Sequence, residues 1–148
     1  MNREEVKQIV LEKLQQQIAN IKEHIGSLTT DAQNDAKSSA GDKHETALAM
    51  MHLEQEKLNA KLAELLASEA TVRKLPAQKT SDKATVGSVV KTNKAVFYIS
   101  VAMPAVFVQN QTVMCVSAAA PLIQRILNKE AGTEIVFNNI SYKIIEIY

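Results

Sequence analysis

The chain has 148 residues, enough for one ordinary domain or two small ones, and a formal charge of +1. That balance gives no global field to draw in nucleic acid or a membrane surface, and the absence of Trp, with aromatics at 4 %, suits a molecule that buries aliphatic seams. A single cysteine, Cys115, lies in the apolar run Val113-Met114-Cys115-Val116; it excludes an intramolecular disulfide and fits a reducing compartment. The N-terminal stretch Met1-Asn2-Arg3-Glu4-Glu5 has no apolar core and does not read as a signal peptide. The most apolar stretch, 95–108, contains Pro104 and is shorter than the ~20 residues that span a bilayer. The composition predicts a soluble, cytoplasmic protein with no membrane partner.

Two segments with apolar stripes dominate the first half. Leu11, Leu14, Ile18, Ile21, Ile25 and Leu28 recur at alternating spacings of three and four, and so do His44, Leu48, Met51, Gln55, Leu58, Leu62 and Leu65. This is the a/d seam of a coiled coil. Pairing the segments antiparallel about residue 36 sets Leu28 with His44, Ile25 with Leu48, Ile21 with Met51, Ile18 with Gln55, Leu14 with Leu58 and Leu11 with Leu62. The pattern predicts a helical hairpin over residues 3–72 within a domain of residues 1–74. Each arm of about 35 residues is about 50 Å long at ~1.5 Å per residue.

The first helix starts near Asn2 or Arg3, with Glu4 and Glu5 favourable at the positive end of its dipole. Gly26 keeps the seam in phase, although Ser27, Thr29 and Thr30 weaken the helix there, so a continuous helix and a short break both fit. Ser38, Ser39 and Gly41 put the turn near 36–41. The second helix starts at Ser39 or Asp42, both of which have capping-box spacing, and runs to about Ala70. Gln55 interrupts the seam, as buried polar residues do when they fix register. Met50 and Met51 read as packing residues, and Asp31 and Asp35 as solvated helix residues.

Residues 75–85 read as a linker, polar and aperiodic around Pro76. Arg73, Lys74, Lys79 and Lys83 keep that region solvated. The remainder, 86–148, is rich in strand formers: 86–92 and 95–103 about the turn Thr92-Asn93-Lys94, then 105–108 and 112–117 about Gln109-Asn110-Gln111. Pro121 starts a short helix with Leu122, Ile126 and Leu127 on its apolar face. Strands 134–137 and 140–147 follow, turning at Asn138-Asn139. The run implies an α+β domain of about five strands and one helix.

No metal-ligand spacing, P-loop, dinucleotide turn or nucleophile elbow is present, and His44-Glu45 lacks the second His of a zinc helix. His44 reads as a polar residue ending the seam. The sequence offers no seat for intrinsic catalysis, and the chain does not read as an enzyme.

The segment from Ala120 to Ile135, Ala-Pro-Leu-Ile-Gln-Arg-Ile-Leu-Asn-Lys-Glu-Ala-Gly-Thr-Glu-Ile, resembles the pattern Ser-Pro-Leu-Gly-x-x-Leu-Leu-Gly-Lys-x-x-Gly-Asp-x-Val of the bacterial Gre transcript-cleavage factors, without a gap. Ala120, Ile123 and Asn128 stand where the pattern has Ser, Gly and Gly. Val86-Gly87-Ser88-x-Val90 resembles the family's first C-terminal strand, and Tyr98-x-Ser100 and Tyr142-x-Ile144-x-x-Ile147 echo later ones. The hairpin resembles the family's N-terminal domain by architecture.

The resemblance implies an FKBP-like fold for the C-terminal domain, without isomerase activity as its role. It also implies a monomer that binds RNA polymerase in its secondary channel, acting on nascent RNA only indirectly. Pro121, and with it Ser117, becomes a candidate contact on the channel rim. Two carboxylates spaced Asp-x-x-Glu at the hairpin tip would help hold a Mg²⁺ ion at the polymerase active site, so that the polymerase cleaves backtracked RNA. Here that spacing occurs as Asp42-x-x-Glu45. The same pair reads as a helix cap from spacing alone, and the two roles are compatible. Aligning His44 with the family's His instead puts the carboxylate positions on Ala36 and Ser39. The tip also carries Lys37 and Lys43, unlike the family's. Two other functions fit the same features: a channel-binding regulator that does not promote cleavage, and a coiled-coil adaptor that never meets polymerase.

Overall fold

The computed structural model describes the backbone of residues 1–38 and 42–148, and the side chains of these except at 32, 34–38 and 42–44. The chain is α+β: α1 (Arg3–Ser38), α2 (Asp42–Arg73), β1 (Val89–Thr92), β2 (Val96–Ser100), β3 (Met103–Val108), β4 (Gln111–Ser117), α3 (Pro121–Ile126), β5 (Glu134–Phe137) and β6 (Ile140–Ile147). It divides into two compact units, one formed by residues 13–69 and the other by residues 1–12 together with 70–148.

Asn2 caps α1, its Oδ1 accepting the Glu5 N–H at 2.8 Å. The helix passes Gly26 unbroken. Thr29 and Thr30 return their hydroxyls to the carbonyls of Ile25 and Gly26, each at 3.1 Å, satisfying themselves within the helix. In the 13–69 unit the predicted seam is the inward face: Leu14, Ile18 and Leu65 are buried, and Ile21, Ile25, Leu28, Leu48, Met51, Gln55, Leu58 and Leu62 are half-buried. Met50 departs from the packing role expected of it: it is 66 % exposed, beside Leu53 at 60 %.

The register differs from the expected one. With α1 ending at Ser38 and α2 starting at Asp42, the hairpin is symmetric about residue 40 rather than 36. Gln55 accordingly meets Thr29, donating from Nε2 to Oγ1 at 3.0 Å, about three helical turns along α1 from Ile18. Sliding the seam by one heptad sets Leu14 level with Leu65, Ile18 with Leu62, Ile21 with Leu58 and Ile25 with Gln55. That match is as apolar as the one expected, because a heptad repeat superposes on itself after each slip. The turn, not the periodicity, fixes the pairing. The turn residues 39–41 themselves lie outside the described residues.

The other unit is built on a six-stranded mixed sheet in the order β3-β4-β2-β1-β6-β5, one strand for each of the six stretches named from the sequence, against an expected total of about five. All ladders are antiparallel except β2 with β4, which runs parallel from Val96↔Val113 to Ser100↔Ser117. β1 begins at Val89, not Val86, because Thr85–Ser88 forms a turn: Ser88 N–H reaches Thr85 O at 3.0 Å. Gly87 takes φ +93° within it, and a Cβ there would sit 2.9 Å from Pro76 Cδ. The strand expected over 95–103 is interrupted at 101–102, where the chain leaves β2 for β3.

Every residue of β2 is buried, so both faces of the sheet are covered at β2. On one face Phe97 and Ile99 pack with Val90, Ile144 and Ile147 against Ile123 and Ile126 of α3. Ile123, rather than the expected Leu122, is the fully buried residue of that helix turn. Side chains alternate along a strand, so Tyr98 faces the opposite side, where Arg3 lies. Val6, Val10 and Val72 are also fully buried in this unit. Residues 75–85 contain neither helix nor strand, yet Leu75 and Ala84 are buried, and Ala84 exchanges backbone bonds with Lys129 O and Asn128 N–H, each at 2.8 Å.

Candidate functional site

Two regions carry the residues singled out from the sequence. The first is the start of α2. Glu45 stands in its first turn, three residues after Asp42, and is exposed. The side chains of Asp42 and His44, with those of Ala36, Lys37, Ser39 and Lys43, lie outside the described residues. Among the described residues no group of three or more His, Cys, Asp or Glu side chains gathers at metal-binding distance.

The second region is the corner between β4 and α3, which brings Ser117 and Pro121 together. Proline forces its predecessor into extended backbone, and Ala120 has φ −60° and ψ 136°. Pro121 then occupies the first helical position, where a missing N–H costs nothing. Ser117 shapes the turn that leads there. Its Oγ accepts the Ala119 N–H at 3.1 Å, and its carbonyl accepts the Ala120 N–H at 3.1 Å. The Gln124 side-chain amide donates back to the Ala118 carbonyl. Pro121 is exposed and Ser117 half-buried, so the corner presents Pro121 outward while the Ser117 hydroxyl is committed to the turn. No charged residue occurs from Ala95 to Gln124, which leaves this corner uncharged until Arg125.

Beyond the corner, the backbone makes two demands that only a few residue types meet. Asn128 has φ +67° and Gly132 φ +93°. Left-handed backbone is the province of glycine, with Asn the commonest substitute. Between α3 and β5 runs an open groove of about 780 Å³, to which Pro121 contributes.

Sequence reasoning missed Arg3. Although it opens α1, its side chain is 2 % exposed. Nε and Nη2 donate to the Tyr148 carbonyl at 3.1 and 3.0 Å, Nη1 to the Gln78 carbonyl at 3.2 Å, and Nη2 to Ser88 Oγ at 3.1 Å. Burial lowers its pKa, with Tyr98 opposing the shift. The signal in the sequence was a cation at the positive end of a helix dipole, a misplacement of about 0.3–1 kcal/mol that asks for compensation elsewhere. Tyr98 is fully buried, and its hydroxyl has no hydrogen-bond partner among the described residues. Burial, reinforced by Cys115 and opposed by Arg3, pushes its pKa up to about 12. This cluster locks the first turn of α1 to the sheet unit; it contains no nucleophile–base pair within reach of solvent.

No helix among the described residues is long and apolar enough to cross a membrane. No protein-family model matches the chain, and no curated protein matches it.

Proposed function

We propose that the protein is a Gre-like factor that enters the secondary channel of RNA polymerase and stimulates cleavage of backtracked nascent RNA. One observation supports this above the others. The family pattern has glycines at the places of Asn128 and Gly132, and these are the two positions in the matching segment with left-handed backbone. The pattern's remaining glycine falls on Ile123, a fully buried helical residue with no such demand. Left-handed backbone thus falls where the pattern has glycine, and this supports an FKBP-like reading of the sheet unit. The helical hairpin preceding that unit is the second support.

On this reading the sheet unit docks through the Pro121 corner and the hairpin carries Asp42 and Glu45 to the polymerase active site. Glu45, with Asp42, would lend oxygen ligands to a Mg²⁺ ion there. When bound, such an ion would supply water activation and neutralisation of charge on the scissile phosphate. The chain's own part is to bind, to reach and to position the carboxylates; the polymerase performs the hydrolysis.

The test is transcript cleavage by backtracked elongation complexes with the purified protein. Asp42→Asn combined with Glu45→Gln is expected to leave polymerase binding intact and to reduce cleavage by about 100-fold or more, the loss typical when transition-state charge stabilisation is removed. Unchanged cleavage by the double variant would reject these carboxylates. The flanking Lys37 and Lys43 favour a second reading, a channel-bound regulator without cleavage activity. Inhibition of nucleotide addition with no cleavage by the wild-type protein selects it.

A further inference from the structure

The sheet ends on β5, and that edge is unlike the other. At the far edge, β3 carries Pro104 and a register irregularity between Met103 and Val106, both devices that discourage further pairing. β5, Glu-Ile-Val-Phe, has neither.

Its pairing with β6 tells which backbone groups are open. The hairpin closes through Asn138 and Asn139, whose φ of 50° and 63° describe a type I′ two-residue turn. In such a hairpin the pair flanking the turn, Phe137↔Ile140, exchanges hydrogen bonds, and the alternation continues along the ladder. Ile135↔Tyr142 is therefore a bonded pair, while Val136↔Ser141 and Glu134↔Lys143 are not. The N–H and C=O groups of Glu134 and Val136 point away from β6, towards the free edge.

That edge forms one wall of the groove of about 780 Å³. Opposite stands α3 with Pro121 and Arg125, and Leu127, Lys129 and Ile135 add an apolar floor with a second cation. A strand laid along this free edge would lie ~4.8 Å from β5, the spacing of strand neighbours. The groove carries two cations, Arg125 and Lys129, against one carboxylate, Glu134, so its net charge suits an acidic ligand. Among the described residues Arg125 and Lys129 have no ion-pair partner within the groove, and Glu134 stands across the ladder from Lys143.

We infer that this groove binds an extended acidic peptide by strand addition to β5. The backbone of Glu134 and Val136 supplies the ladder, Ile135 and Leu127 receive a central apolar side chain, and Arg125 and Lys129 take carboxylates on either side of it. The inference stands apart from the polymerase reading, since it needs only the groove and its edge.

The test uses the full chain labelled with ¹⁵N and the peptide acetyl-Glu-Thr-Val-Thr-Glu-amide, whose first, third and fifth residues face one way in a strand. Binding is expected to shift the amide signals of Glu134 and Val136 and to slow their hydrogen exchange. Three changes are each expected to weaken it at least tenfold: Lys in place of both Glu residues of the peptide, N-methylation of its edge-facing amides, and Arg125→Glu with Lys129→Glu in the protein. Val136→Pro, which removes an outward N–H without touching the β6 ladder, is expected to do the same; if that variant does not fold, the peptide pair and the charge reversal decide. Equal binding of the Lys peptide or the N-methylated peptide, shifts confined to residues outside 120–137, or no binding at about 1 mM would overturn the inference.

Discussion

The two units hold themselves together in different ways. In the helical unit each arm buries one stripe, and most of that stripe is only half-buried: Ile21, Ile25 and Leu28 on α1, Leu48, Met51, Leu58 and Leu62 on α2. In the sheet unit the central strand is buried on both faces and an isoleucine-rich cluster closes under α3. Apolar burial stabilises by about 25 cal/mol per Å² removed from water, so a substitution in the sheet core removes more than the same substitution in the seam. A two-helix seam yields reach from few core residues; a covered sheet yields a fixed platform.

The sharpest way to break the platform is at Arg3. Arg3→Met leaves the Tyr148 and Gln78 carbonyls without their donor, while Ser88 Oγ keeps the Thr85 N–H at 2.9 Å; it is expected to cost about 3–5 kcal/mol in urea denaturation, given that hydrogen bonds to charged groups contribute about 1.5–3 kcal/mol each. Loss below about 1 kcal/mol would show that solvent replaces the guanidinium. Next comes a matched pair that tests the contrast between the units directly. Ile99→Ala, in the covered sheet, is expected to lose about 2–5 kcal/mol, and Ile25→Ala, in the half-exposed seam, about 1 kcal/mol. Equal losses would dissolve the contrast.

Tyr98 gives a pH-dependent version. The folded state holds the phenolic proton up to about pH 12, whereas an unfolded tyrosine releases it near pH 10. The contribution is fully present below pH 10 and is lost as pH rises towards 12, reaching about 2–3 kcal/mol. Tyr98→Phe is expected to flatten that alkaline decline in melts recorded from pH 9 to 12. It is also expected to gain about 1 kcal/mol at neutral pH, by removing a buried hydroxyl without a partner. The smallest effect belongs to the helical unit. Gln55→Leu is expected to change stability by less than about 1 kcal/mol while loosening the register, visible as a second set of distances between spin labels on α1 and α2.

Much of this architecture was legible beforehand. The apolar faces of both helices, the two-residue turn at Asn138-Asn139, the limits of β5 and β6 and the start of α3 at Pro121 follow from local rules, because local backbone chemistry sets them. The register of the hairpin did not, since a heptad repeat matches itself after a slip and only the place of the turn breaks the tie. Strand order and the parallel β2–β4 pairing are decided by non-local packing that no single stretch encodes. Of the candidate site residues, Pro121 was legible because proline has one good place in a helix. Ser117 was singled out by resemblance, and its hydroxyl serves the turn. Asp42 lies outside the described side chains, and Glu45 is exposed. The groove along β5 was invisible because it depends on which strand becomes the edge.

The bonds from Arg3 to residue 148 join groups 145 positions apart in the chain. Residues 13–69 form a unit of their own. The first twelve residues belong to a unit whose remaining members begin at residue 70. Docking of the first turn of α1 therefore waits until residue 148 has been made, and its closure is a slow event governed by the long loop that separates the bonding partners.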